Sequence, residues 1–213
     1  MPDASWLADE PADLPFIGSE LQFAGRVWDV RRDTVEYSGA HLVRDYVDHP
    51  GAVAVLVLDD EDRVFLIQQY RHPVRSRDWE IPAGLLDVDG EHAFEAAQRE
   101  LAEEADLEAS EWAVLVDYFT SPGGSNEAIR IYLARGLRPT AAPHPREDEE
   151  ADMATRWVPL DECVDAVLAR RVQNPSLVVS VLAAHAARAR GWATLAPADA
   201  HWPTHPNSRP ATA

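Results

Sequence analysis

The run Gly51–Leu58, GAVAVLVL, constrains the fold more than any other stretch. It is apolar at nearly every position and rich in β-branched residues. It does not alternate apolar with polar, and so it reads as a strand buried within the molecule. An acidic turn, Asp59–Asp62, follows, and Arg63–Tyr70 (RVFLIQQY) supplies a second strand, predicting a hairpin.

Further strands are predicted at Ala113–Phe119, Ile129–Ala134 and Arg156–Val158. A helix is predicted over residues 92–104, where Phe94, Ala97 and Leu101 recur at three- and four-residue steps. Asp161 is read as the cap of a helix running to about Arg171. Asn174-Pro175-Ser176 opens a longer helix over Leu177–Arg190. Ahead of the buried strand, Val27–Val30 and Leu42–Val47 flank a Ser38-Gly39 turn and suggest a small antiparallel sheet. Strands on both sides of a helix, then two late helices, predict an α/β fold, an α/β/α sandwich on a mixed central sheet. Three segments are expected: an N-terminal arm and small β-sheet over 1–48, a catalytic-type domain over 49–195, and a C-terminal tail over 196–213. Residues 1 to about 20 read as a loose arm and the proline-rich tail as a loose surface segment.

Charge and composition exclude some functions. The chain has 213 residues, with 37 Asp and Glu against 19 Lys and Arg and a formal net charge of −18. It has no basic surplus to neutralise phosphates, which argues against nucleic acid or an anionic membrane as partner. Its one cysteine, Cys163, rules out an intrachain disulfide and is read as packing. No signal peptide is visible and no apolar run is long enough to span a bilayer, so a cytoplasmic protein is expected. His41, His49 and His72 lack zinc-like spacing and are read as surface or turn residues.

The chemistry concentrates in Gly84–Leu107, GLLDVDGEHAFEAAQRELAEEADL. Offsets of three and four place Glu100, Glu103 and Glu104 on one side of the predicted helix. Three like charges there repel unless something positive sits against them, and a hard divalent cation held by oxygen ligands answers that need. The alternative is a solvated helix face paired with Arg99.

Gly84, Glu91, Arg99, Glu100, Leu101, Glu103, Glu104 and Leu107 together resemble the Nudix box. Two departures are visible. The spacer between Gly84 and Glu91 is one residue longer than the family pattern, and Asp106 replaces a glycine just past the helix end. Aspartate tolerates the left-handed conformation expected there. The resemblance implies hydrolysis of a nucleoside diphosphate derivative with Mg2+ as cofactor and Mn2+ as the alternative. By residue match, Glu100, Glu103 and Glu104 are the metal ligands, Ala83 offers its carbonyl, and Arg99 and Glu91 support them from behind.

The flanks resemble ADP-ribose pyrophosphatases. The carrying residues are Tyr70-Arg71-His72-Pro73, Trp79-Glu80-Ile81-Pro82-Ala83-Gly84, and Pro122, 15 residues beyond Leu107. The implied reaction converts ADP-ribose to AMP and ribose 5-phosphate in a homodimer that exchanges its N-terminal sheet. A loop glutamate would be the general base, Glu150 with Glu149 as runner-up. Arg71 would contact a substrate phosphate, with a surface salt bridge as its alternative role. Glu80 would lie near the terminal ribose or its phosphate. Trp28 would stack on adenine, or else simply pack in its sheet, and Arg44 would reach the base from the partner subunit. Other Nudix substrates (sugar nucleotides, NADH, coenzyme A, dinucleoside polyphosphates) share the same box, and a non-catalytic ADP-ribose-binding module is a lesser alternative.

Overall fold

The computed structural model describes residues 7–144 and 153–205. The described residues form three sheets and three helices. The strands are β1 (Phe16–Phe23), β2 (Asp29–Tyr37), β3 (Ala40–Asp48), β4 (Ala52–Val57), β5 (Arg63–Arg71), β6 (Ser76–Glu80), β7 (Ala83–Leu85), β8 (Leu107–Phe119), β9 (Ala128–Pro139), β10 (Ala154–Pro159) and β11 (Ala196–Pro197). The helices are α1 (Ala93–Ala105), α2 (Leu160–Leu168) and α3 (Pro175–Arg188).

The predicted buried strand is the centre of the molecule. β4 lies inside a five-stranded sheet of order β11-β8-β9-β4-β7. It runs parallel to β9 and antiparallel to β7, which makes the sheet mixed. Successive side chains of a strand point to opposite faces. Val53, Val55 and Val57 therefore join the core under α1, together with Ala97 and Leu101. Ala52, Ala54 and Leu56 join a second core with Leu160, Leu177 and Val181 from α2 and α3. Both faces are covered, so no position of the strand tolerates a polar residue, and the sequence shows no alternation. β5 repeats the pattern, with Phe65 and Ile67 on the α1 side and Val64 and Leu66 on the other. The result is the predicted α/β/α sandwich, with a second sheet of order β10-β5-β6 beside the first.

The N-terminal sheet, order β1-β2-β3, is antiparallel. Ser38 and Gly39 turn between β2 and β3 with φ of 51° and 79°. Both central residues thus have the positive φ that a tight hairpin turn of right-handed twist requires. The loose-arm reading is corrected here: the chain enters this sheet at Phe16, where β1 pairs with β2. None of the three strands contains a fully buried residue.

Two readings about the later helices are also corrected. Pro159, not Asp161, occupies the N-cap of α2, and Asp161 sits in its first turn. The tail between Ala196 and His205 is not loose. β11 pairs with β8, and Trp202 is only 6% exposed within the α1-side core. Arg130 holds this segment, donating to the Ala200 carbonyl at 2.5 Å and the His201 carbonyl at 3.3 Å, with its guanidinium 4.9 Å from the Trp202 ring centroid. Asn174 caps α3 as predicted, accepting from the Leu177 amide at 3.1 Å. No helix among the described residues is long and apolar enough to cross a membrane.

Candidate active site

The site is built on α1 and the short strand β7 that precedes it. The α1 N-terminus is tied by the His92 amide, which donates to the Glu95 carboxylate at 3.2 Å. The helix ends where Asp106 turns left-handed, φ 53° and ψ 34°. That is the conformation expected of the residue replacing glycine. Asp106 also gains a partner that glycine lacks, since its carboxylate accepts from the His144 amide at 2.7 Å.

Arg99 is the hub of the carboxylates. Its Nε and Nη2 donate to the two oxygens of Glu91 at 2.9 and 3.0 Å. Its Nη1 donates to Glu100 at 2.6 Å and to Glu103 at 3.0 Å. These bonds hold the Glu91 carboxyl below its ordinary pKa and push the guanidinium further above its own, with the Glu91 hydrogen bond the largest cause in each case. Glu104 is buried, 6% exposed, and accepts from the Ala83 amide at 2.9 Å.

Gly84 explains why the motif needs glycine. A Cβ built there would lie 1.9 Å from Oε1 of Glu100. The requirement is space: the Glu100 carboxylate passes directly over the β7 backbone.

Among the described residues, no three His, Cys, Asp or Glu side chains are arranged to hold a metal ion. Arg99 stands among Glu91, Glu100 and Glu103, and Glu104 turns to a backbone amide. The donor set nevertheless suits a hard cation, since every carboxylate is an oxygen donor. Nη1 of Arg99 already places positive charge between Glu100 and Glu103.

A second cluster comes from the β5–β6 hairpin. Arg71 at the end of β5 meets Glu80 at the end of β6 in a bidentate pair, at 2.8 and 2.7 Å. Glu80 is 2% exposed, whereas the Arg71 side chain is 44% exposed. The structure therefore shows the salt bridge considered for Arg71, with its carboxylate buried. Three residues further on, the chain reaches Ala83, so this pair lies within about 11 Å of the Glu104 anchor along the backbone.

Trp28 and Arg44 belong to the N-terminal sheet region. Trp28 stacks on His49, with centroids 4.3 Å apart and planes 20° apart. Arg44 is exposed and donates to its neighbour's carbonyl, Val43, at 2.8 Å. Neither is brought to the carboxylates of α1 by a hydrogen bond or ion pair among the described residues. Glu149 and Glu150 lie outside the described residues. Pro122 is exposed in the loop between β8 and β9.

His49, read from the sequence as a surface or turn residue, is 7% exposed, and its Nε2 faces Glu127 at 3.2 Å.

The NUDIX domain family matches residues 48–178, more than half of the chain. The chain belongs to the NUDIX family. It is 43% identical over 197 residues to an ADP-ribose pyrophosphatase of Mycobacterium tuberculosis, covering 92% of this chain and 94% of that protein. It is 36% identical to a methanol dehydrogenase activator of Bacillus methanolicus over 78% of this chain and 89% of that one. Among solved structures it is similar to an ADP compounds hydrolase, with a TM-score of 0.70, 21% identity, and coverage of 86% of this chain and 99% of the other. At that identity the likeness concerns the fold. It confirms the Nudix sandwich as the architecture of this chain.

Proposed function

We propose that this Nudix protein hydrolyses the pyrophosphate of ADP-ribose to AMP and ribose 5-phosphate with Mg2+ as cofactor. The observation that carries the reading is the set of carboxylates on one face of α1, oriented by Arg99 and closed against Gly84. The similarity to the mycobacterial ADP-ribose pyrophosphatase over nearly the whole chain supports the choice of substrate.

Glu100, Glu103 and Glu104 would hold the metal, with the Ala83 carbonyl beside them. The bound cation would offset the negative charge of the pyrophosphate and activate water. The chain's own residues do the rest. Arg99 fixes the rotamers of Glu100 and Glu103, so little ordering remains when substrate arrives. Glu80 fixes the plane of the Arg71 guanidinium, whose fork then matches a phosphate. Glu150, or Glu149 beside it, would take the proton of the attacking water.

A homodimer goes with this reading. Ile17, Leu21, Phe23, Val27, Tyr37 and Val43 are 48–64% exposed and cluster in and beside the N-terminal sheet. So many apolar side chains on one small sheet call for a covering surface, and a second copy supplies it. Trp28 and Arg44 would then meet the base, Arg44 from the partner subunit. A cytoplasmic setting, where nucleotides are turned over, completes the reading.

The test is turnover of ADP-ribose with Mg2+, beside a Glu104→Gln variant. AMP and ribose 5-phosphate are the expected products, and E104Q is expected to lose nearly all rate. Intact ADP-ribose overturns the substrate, and full rate in E104Q overturns the metal assignment. A different nucleoside diphosphate derivative, which the same box would serve, is the second reading.

A further inference from the structure

His49 lies in the short link between β3 and β4, where the N-terminal sheet joins the sandwich. Three contacts fix its ring. Nδ1 accepts from the Gly51 amide at 3.0 Å, which leaves the hydrogen on Nε2. Nε2 lies 3.2 Å from Oε1 of Glu127 and donates to it. The third contact is the stack with Trp28, at 4.3 Å and 20°.

Glu127 is anchored in turn. Its other oxygen accepts from the Thr120 hydroxyl at 2.5 Å, closing the loop that carries Pro122. That loop is also bound to the end of β3 and to the link. The Val47 amide donates to the Gly124 carbonyl at 2.9 Å, and the His49 amide donates to the Asn126 side chain at 2.8 Å. The imidazole is therefore held at both of its nitrogens.

Trp28 is different. It is 39% exposed, it precedes β2, and its neighbour Val27 is 59% exposed. Its indole meets the buried imidazole on one face. An indole on an exposed segment samples several rotamers, and a fixed ring behind it removes that freedom before a ligand arrives.

We propose that His49 is a positioning residue for the substrate's base: its immobilised ring backs Trp28, so that the indole presents its outer face as a preset stacking plate. The proposal rests on the ADP-ribose reading and on Trp28 as the base contact. The plate lies at the nucleoside end, away from the bond that breaks. It therefore stabilises ground state and transition state alike and acts on KM, not kcat.

Substitution of His49 by Gln separates the ring from its hydrogen bonds. The Gln amide can accept from Gly51 and donate to Glu127, but it offers no aromatic face. The experiment measures ADP-ribose kinetics for the wild type, H49Q, W28L and the double variant, with thermal melts to confirm folding. H49Q is expected to raise KM by about threefold to tenfold, the worth of an aromatic pair, with kcat within about twofold. In the W28L background, H49Q is expected to change KM no further. The Trp28 emission, taken as the difference between wild type and W28F, is expected to shift on H49Q without substrate. An unchanged KM in H49Q, multiplying effects in the double variant, or a fall in kcat matching the rise in KM overturns the proposal. If the wild type leaves ADP-ribose intact, the substrate reading fails by itself. AMP binding to the same four proteins, followed by calorimetry, then decides the part of His49: weaker binding in H49Q with no further loss in the double variant supports it, and unchanged binding in H49Q overturns it.

Discussion

Arg99 and Glu91, eight positions apart in the chain, are joined by two parallel hydrogen bonds, 2.9 and 3.0 Å long. This pair closes the loop ahead of α1 onto the helix. It also leaves the third guanidinium nitrogen for Glu100 and Glu103. The extra residue between Gly84 and Glu91 is thus absorbed before Glu91, without displacing that carboxylate from its partner.

Arg99 is expected to act through geometry more than through charge. Lysine keeps the charge but lacks the planar fork. Arg99→Lys is therefore expected to lower kcat/KM by about tenfold to a hundredfold, the usual effect of losing a residue that orients metal ligands. A Mg2+ titration of activity checks it, with the half-saturating concentration rising in the variant.

Gly84→Ala places a methyl where the Glu100 carboxylate lies, 1.9 Å from its oxygen. Either Glu100 swings away or β7 shifts from β4. The expected outcome is loss of most activity with a stability cost of about 1–3 kcal/mol, as for other overpacked sites. Denaturant melts and ADP-ribose turnover measure the two effects separately.

Trp202 is a buried anchor of the C-terminal segment, stacked under Arg130 and bonded to the Thr204 hydroxyl at 2.9 Å. Trp202→Ala leaves a cavity beside the α1-side core and is expected to cost about 3–5 kcal/mol. A urea melt reads this directly. A loose tail would instead show a change near zero.

His49 carries a pH signature in stability. Burial lowers its pKa below the ordinary value of about 6.5, although Glu127 and Asp48 pull the other way. As pH falls below about 6.5, the unfolded chain takes up a proton that the folded chain does not. Folding stability from neutral His49 is thus present above about 6.5 and is lost as pH falls through the folded value. Melts between pH 8 and 5 are expected to show this loss in the wild type and a flatter slope in His49→Gln.

The parts legible in the sequence are those set by local pattern. The run at β4 announced itself because both of its faces are buried. The box helix, expected over 92–104, spans Ala93–Ala105, because its apolar stripe and its end at Asp106 are written in adjacent residues. β1 was not legible: FIGSELQF has no clean alternation, and pairing with β2 makes it a strand. β6 and β7 are too short to carry a period and are set by their partners β5 and β4. Trp202 sits in a proline-rich run whose composition suggests a loose tail, and Arg130, far away in sequence, decides otherwise. His49 was misjudged for the same reason, since its side-chain partner Glu127 is distant along the chain and no spacing rule connects them.

The central claim is that the α1 carboxylates serve the pyrophosphate of ADP-ribose. The most direct measurement is a panel of ADP-ribose, NADH, a sugar nucleotide, coenzyme A and a dinucleoside polyphosphate, each with Mg2+ and product identification. The account predicts the highest kcat/KM for ADP-ribose, with AMP and ribose 5-phosphate as the products. A higher kcat/KM for any other member, or ADP-ribose left intact, would contradict it.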